Sequence, residues 1–330
     1  MKPSITLPTS KTKYLCFLGG ILLIILCCAS LFVGKYPLSL EKILAGDPLQ
    51  VRVFLTLRVS RTMVGIIGGI ALGIAGFVYQ TVFHNPLASP DIIGVSSGAS
   101  AGAAVGILFL SGTAAVTISA FAGALLAVIL SLALSGLDRS GKNGTIVLAG
   151  IAVHSITQTI LMALKLTADP EKELASIEYW IMGSLNGISA YSISGNLILC
   201  AVCIFALLFL HRQVILLSAD EGEARLLGVN VTVLRVMILL IATLSVAAVI
   251  SLTGLISFVS LLAPHSARLL SRNNRLDTMI LSGLMGGILL CGADILARSA
   301  AATELPVSIF TSLLGAPFLI FLIIRGRRQV

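Results

Sequence analysis

The chain has 330 residues, of which 57% are hydrophobic and only 11% charged, with a mean hydropathy of +1.05. A soluble domain carries about 25% charged residues, so no water-facing surface can be built from this composition and the chain reads as an integral membrane protein. The net charge of +8 does not indicate nucleic acid, because Lys and Arg sit in short loops beside apolar runs and form no basic stripe with interleaved aromatics.

A membrane span needs about 20 apolar residues. Taken in chain order, the runs predict ten spans, at 14–33, 62–82, 93–110, 113–136, 145–166, 191–210, 231–252, 254–270, 278–297 and 306–325. Lys2, Lys11 and Lys13 precede the first run in the manner of a signal peptide. That run is long enough to span and no small-x-small site closes it, so it is expected to stay as the first transmembrane helix. Segments 34–60 and 167–190 are expected to hold short interfacial helices, with Tyr179 and Trp180 as surface anchors. The eighth run is interrupted by Pro264, His265 and Arg268. No loop is long enough for a separate folded domain. The expectation is an all-α membrane protein forming one transmembrane domain over 1–330, with a short cytoplasmic segment at 1–13.

Most Lys and Arg fall on the cytoplasmic side if the N-terminus is inside, which predicts N-in and C-in. Glycines recur every fourth residue, at Gly65, Gly69 and Gly73 in the second run and at Gly94, Gly98, Gly102 and Gly106 in the third. That spacing lines one helix face and lets backbones approach closely.

Several motifs invite a chemical reading. GLDRSGKN (136–143) approaches a phosphate-binding loop, but Asn143 stands where a hydroxyl must reach Mg²⁺. GVSSG (94–98) matches a nucleophile elbow on paper, yet it opens a membrane helix rather than a strand-to-helix turn. The cysteines, Cys200 and Cys203 included, lie in oily sequence and read as small hydrophobes. His154 and Gln158, four apart in the fifth run, either pack together or weakly line a pathway. Asp294 and Arg298 are also four apart and suit a local ion pair, the alternative being an outward-presented Arg298. Arg58 and Arg61 share a helix face at the outer start of the second run. They anchor the membrane surface or, with Arg298, form a basic patch for carboxylates. Asp294 is the one acid near membrane depth, so an ion-coupled carrier looks poorly supplied and energy should come from elsewhere. The stretch LLSADEGEARLLGVN (216–230) concentrates charge between two spans on the cytoplasmic side.

Six blocks, in order, resemble the iron-siderophore and vitamin B12 ABC importer permeases (the FecCD type). They are LRVSR (57–61), HNPLASPDIIGVSSGA (84–99), YWIMGSL (179–185), DEGEARLLGV (220–229), GLISFVSLLAPHSAR (254–268) and ELPVSIFTSLLGAPFLIFLI (304–323). The resemblance implies a B12-importer-like (type II) ABC permease of the plasma (inner) membrane. It implies a second permease subunit, as homodimer or paralogue, separate ATP-binding subunits that carry ATP and Mg²⁺, and an extracytoplasmic substrate-binding protein. No cofactor, metal site or catalytic residue is expected in this chain, and ATP hydrolysis belongs to the partner.

By the same resemblance, Asp220, Glu221, Glu223, Ala224, Arg225, Leu226, Leu227 and Gly228 couple to the ATPase subunit. Arg58, Arg61 and Arg298 dock the binding protein, and Asn85, Pro86, Leu87 and, more weakly, Thr145 form a cytoplasmic gate. Ser60 and Ser260 stand where many relatives have Pro and Gly. NPLASPDIIG and the GSL after Trp180 resemble the ferric-chelate members most, so an iron-siderophore-type chelate is the expected substrate and cobalamin or haem the alternative. An ion-coupled secondary transporter, or a membrane hydrolase using Ser96 or Ser97, would be the readings from other classes.

Overall fold

The computed structural model describes residues 9–137, 143–188, 190–218, 230–301 and 303–327, and all regular structure among them is helical. The first half comprises α1 (Thr9–Phe32), α2 (Leu40–Leu44), α3 (Pro48–Val53), a π-helical segment (Phe54–Val59), α4 (Ser60–Val82), a 3₁₀ turn (Pro90–Ile93), α5 (Val95–Phe109) and α6 (Thr113–Ser135). The second half comprises α7 (Asn143–Thr167), α8 (Glu173–Met182), α9 (Ala190–Phe209), α10 (His211–Leu216), α11 (Val231–Thr253), α12 (Val259–Ser271), α13 (Leu276–Ser299) and α14 (Val307–Arg327).

Ten of these helices coincide with the ten predicted spans, and α2, α3 and α8 are the short helices expected in the two long outer segments. Six stretches are long and apolar enough to cross a membrane by length and composition, while α5, α9 and α14 are shorter apolar helices. The eighth span differs most from expectation, because α12 starts at Val259 and has 13 residues. Such a helix is about 20 Å long, well short of the hydrocarbon thickness. Gly254 and Phe258 adopt positive φ, so the chain between them cannot be helical. Interior bonds hold this irregular piece: Ser184 N donates to Thr253 O at 2.7 Å, and Ser308 Oγ donates to Leu255 O at 2.7 Å. Non-helical backbone at membrane depth is tolerated where protein, not lipid, surrounds it.

The core is organised on α4, in which every residue from Ala71 to Val82 is buried. In lipid the hydrophobic effect does not press helices together, so small residues and dispersion do. A β-carbon placed on Gly69 would lie 2.5 Å from Gly286 O, and one on Gly73 would lie 2.3 Å from Ser282 O. Thus α4 and α13 meet backbone to backbone, fastened by Ser282 Oγ donating to Gly73 O at 2.7 Å. Helices α5 and α6 repeat the device, with Gly98 against Gly123 O at 2.5 Å and Gly102 against Ser119 O at 2.1 Å. The four-residue glycine spacing is therefore the seam of both pairs. At the periphery α1 and α6 leave large apolar side chains such as Phe17, Ile24, Ile118 and Leu126 exposed, as lipid contact requires.

Candidate functional site

At the end of the bundle that the charge bias assigns to the outside, five charged side chains converge from distant parts of the chain. Arg61 opens α4, and its Nε donates to Asp294 Oδ1 at 2.8 Å, with Nη2 also 2.8 Å from that oxygen. Its Nη1 donates to Glu304 Oε2 at 2.7 Å. One turn beyond Asp294 on α13, Arg298 pairs with Asp294 Oδ2 at 2.9 Å. Arg298 also donates to Ser30 O, Ser30 Oγ and Val33 O at the end of α1. Arg58, in the π-helical segment, donates to Val33 O at 2.6 Å and Tyr36 O at 3.1 Å. Gly34 permits this crossing: its φ is +154°, and a β-carbon there would fall 1.6 Å from Arg58 Nη1.

This geometry corrects the expected presentation of the three arginines. Arg58, Arg61 and Arg298 are only 7%, 8% and 2% exposed, so none projects outward as a patch. For Arg298 the local ion pair wins over outward presentation, because leaving Asp294 uncompensated in a buried site would cost several kcal/mol. Arg58 and Arg61 instead line a cavity of about 220 Å³ with Lys35, Glu304 and the 185–188 segment. Sequence reasoning missed Glu304 and Ser30 as partners, since neither carries a local signal: Glu304 is 243 positions from Arg61.

A second cleft, of about 610 Å³, opens beside α8 and is lined by Tyr179, Trp180, Ser176, Asn186, Thr117 and Thr253 among others. Tyr179 is exposed, whereas Trp180 is half-buried against the core.

At the opposite, inner end, α4 stops at Val82 and the chain turns through His84, whose φ is +51°. Asn85 Oδ1 accepts from Leu87 N at 2.9 Å, an Asx turn with Pro86 inside it. Asn85, Pro86 and Leu87 are exposed, and Thr145 is half-buried. Helix α12 clamps this end. Arg268 donates to Phe77 O at 3.1 Å and Thr81 Oγ1 at 2.7 Å, contacts Gln80 Oε1, and stacks 4.4 Å from the Phe77 ring centroid. Its charge thus lies beside the last two turns of α4, held by one backbone carbonyl, two side-chain oxygens and an aromatic face. Asn274 Oδ1 accepts from Arg268 Nε at 3.3 Å and His265 bonds the Pro86 backbone, so the interruptions in the eighth run are this clamp.

Of the remaining candidates, His154 is exposed and Gln158 half-exposed, on a face of α7 that also shows Ser155 and Thr159. Ser97 is buried and accepts from Thr157 Oγ1 at 2.8 Å, while Ser96 donates to Asp91. These contacts tie α5 to α7 and to the turn before it, a packing role. The residues expected to couple to an ATPase, Asp220, Glu221, Glu223, Ala224, Arg225, Leu226, Leu227 and Gly228, lie outside the described residues, as does most of the phosphate-loop-like stretch, at 138–142. Directly after that segment, Asn230 Oδ1 accepts from Val233 N at 3.2 Å and caps α11.

A glycine-seamed bundle of apolar helices, six stretches of it long enough to cross a membrane, is the architecture of a multi-pass membrane protein. Residues 22–325 match the model of the FecCD transport family. The chain is 38% identical over 282 residues to the cobalamin import system permease protein BtuC of Halobacterium salinarum, covering 84% of this chain and 75% of that one. It is 32% identical to the molybdate import system permease protein MolB of Haemophilus influenzae, covering 97% and 98%. A third relative, a probable iron chelatin transport system permease protein of Helicobacter pylori, is 34% identical with 83% of each chain covered. Among solved structures, a metal-chelate type ABC transporter in an inward-facing conformation superposes with a TM-score of 0.85, at 30% identity, over 95% of this chain and 99% of that one. The chain belongs to the FecCD transport family. It is a permease subunit of an ABC importer, resident in the inner (plasma) membrane.

Proposed function

We infer that this permease carries an intact ferric chelate of the iron-siderophore type, handed to it by an extracytoplasmic binding protein. A separate ATPase subunit, holding ATP and Mg²⁺, drives the cycle, and a second permease subunit completes the pathway. The observation that carries the substrate reading is the exposed face of α7. It offers His154, Ser155, Gln158 and Thr159 among apolar side chains, and no charged residue occurs from Asn143 to Leu164. Neutral hydrogen-bonding groups on an oily face suit a bulky, shielded chelate better than a small oxyanion, which needs cations or a dense set of donors. Identity to a cobalamin permease favours cobalamin as the second reading.

On this reading Glu221, Glu223 and Arg225 pair with the ATPase, with Leu226 and Leu227 as apolar anchors. The turn at Asn85, Pro86 and Leu87, with Thr145, closes the inner end. The test is uptake in cells lacking this chain, with labelled ferric siderophores and labelled cobalamin side by side. Loss of ferric uptake alone is expected. Loss of cobalamin uptake alone would keep the importer and replace the substrate, and transport that persists without nucleotide would overturn the importer mechanism for a secondary carrier.

A further inference from the structure

The cleft of about 610 Å³ beside α8 stands apart from the face proposed above for the chelate, since no residue of α7 or α14 lines it. Its walls are the outer ends of α5, α6 and α11, together with α8 and the segment after it. At the adjoining ends of α5 and α6, Phe109, Leu110 and Ile118 are 67%, 50% and 68% exposed. Three large apolar side chains so exposed in one place call for lipid beside them. Inside the cleft the chemistry changes. Tyr179 and Trp180 supply the aromatic pair that settles at a membrane–water boundary. The Trp180 indole N–H and the Asn186 side-chain amide are donors with no internal partner among the described residues, and ester and phosphate oxygens are acceptors. Glu171 and Lys172 stand side by side on the lining, both exposed and neither in an ion pair among the described residues.

We propose that this cleft binds one phospholipid of the outer leaflet with a primary-amine headgroup. Its phosphate meets Lys172 and its ammonium meets Glu171. Its ester carbonyls accept from Trp180 and Asn186, and its acyl chains leave over Ile107, Val116 and the exposed apolar ends of α5 and α6. A water-borne chelate is the poorer occupant, because the rim is apolar and the cleft does not join the face of α7. The site also touches a moving part. One wall is 251–254, where α11 ends at the break before α12. There Ser184 N donates to Thr253 O at 2.7 Å, and a β-carbon on Gly254 would fall 2.1 Å from Trp180 O. The end of α8 and the break are thus one piece, and the lipid fills the space between that piece and α6.

Trp180 is the only tryptophan of the chain, so its fluorescence reports the cleft without labelling. The full chain is reconstituted in phosphatidylcholine vesicles, and dibrominated phosphatidylethanolamine or dibrominated phosphatidylcholine then replaces part of the lipid. Contact with bulk lipid quenches equally in the two series. A site that grips the ammonium should reach half-maximal quenching at about threefold lower mole fraction of the phosphatidylethanolamine, the size of one exposed charge interaction. Glu171→Gln should merge the two curves, and Lys172→Gln should shift both to higher mole fraction. Neither side chain holds a hydrogen bond or ion pair among the described residues, so neither change threatens the fold. Coincident curves in the unaltered chain, an unchanged gap in Glu171→Gln, or unmoved curves in Lys172→Gln overturn the proposal. If an equimolar amount of soluble glycerophosphoethanolamine abolishes the gap, the site takes a free phosphodiester and the lipid assignment falls. Displacement of the brominated lipid by a ferric trihydroxamate would make the cleft a chelate site and overturn the assignment as well.

Discussion

Asp294 shows how one buried carboxylate sets the geometry of an end of the molecule. Two guanidiniums from α4 and α13 meet on it, and one of them continues to the end of α1. Asp294→Asn leaves both arginines buried with a neutral partner, which should cost about 3 kcal/mol or more, since breaking a buried pair strands the remaining charge. Denaturation of the purified chain in mild detergent should read this as an earlier unfolding midpoint, and an unchanged midpoint would show that the cluster contributes nothing. The sequence made Asp294 and Arg298 legible as a pair, because a spacing of four fixes neighbours on a helix. It could not reveal Arg61 and Glu304 as the other partners, since contacts between remote segments leave no periodic trace. Surface position is hidden for the same reason: a charge at the end of an apolar run reads as solvent-facing whether or not the fold supplies it with an internal partner.

At the level of elements, each of the ten apolar runs holds a helix, six of the stretches being long and apolar enough to cross a membrane, because lipid demands length and closed backbone hydrogen bonding. The start of α12 escaped, since Gly254 and Phe258 adopt positive φ in the first residues of the eighth apolar run and hydropathy cannot register a φ angle. Glycine spacing was legible as a packing face, but its partner was not, because many helices offer small residues. The α4–α13 seam makes a sharp prediction. A β-carbon on Gly65 would sit 3.1 Å from Cys291 Sγ. Gly65→Cys should therefore form a disulfide with Cys291 under mild oxidation without moving either helix. Non-reducing mass spectrometry should find the bridge, and transport should survive it. Loss of transport on oxidation, restored by reductant, would show that these two helices slide during the cycle.

For the whole molecule, the proposed coupling to an ATPase subunit would account for the charge that a chain so poor in it collects at 216–230. The importer needs its energy from another subunit, and a cytoplasmic charged segment is a surface on which rim charges can set partner choice and association rate. Changing both Glu221→Ala and Arg225→Ala should weaken co-purification of the ATPase by about tenfold or more and lower coupled uptake in step. An intact, fully coupled complex would remove these residues from the docking surface. The importer class was legible in the six ordered blocks. The substrate was not, because relatives named for cobalamin, molybdate and iron chelatin share the same frame.

The two glycine seams have a mechanical consequence. Where α4 meets α13, and α5 meets α6, backbone touches backbone and no side chain can change rotamer to let the partners shift. Each pair is therefore a stiff plate. An alternating pathway built from stiff plates opens by tilting them, not by bending them, and the tilt must be absorbed where the chain is neither helical nor glycine-locked. Among the connections in the described residues, the break at 254–258 and the turn at 85–89 are two such places. The permease is in this sense a pair of rigid shutters on two short hinges. The hinges, more than the oily bulk between them, are where a change of sequence would alter the rate of transport while leaving the fold intact.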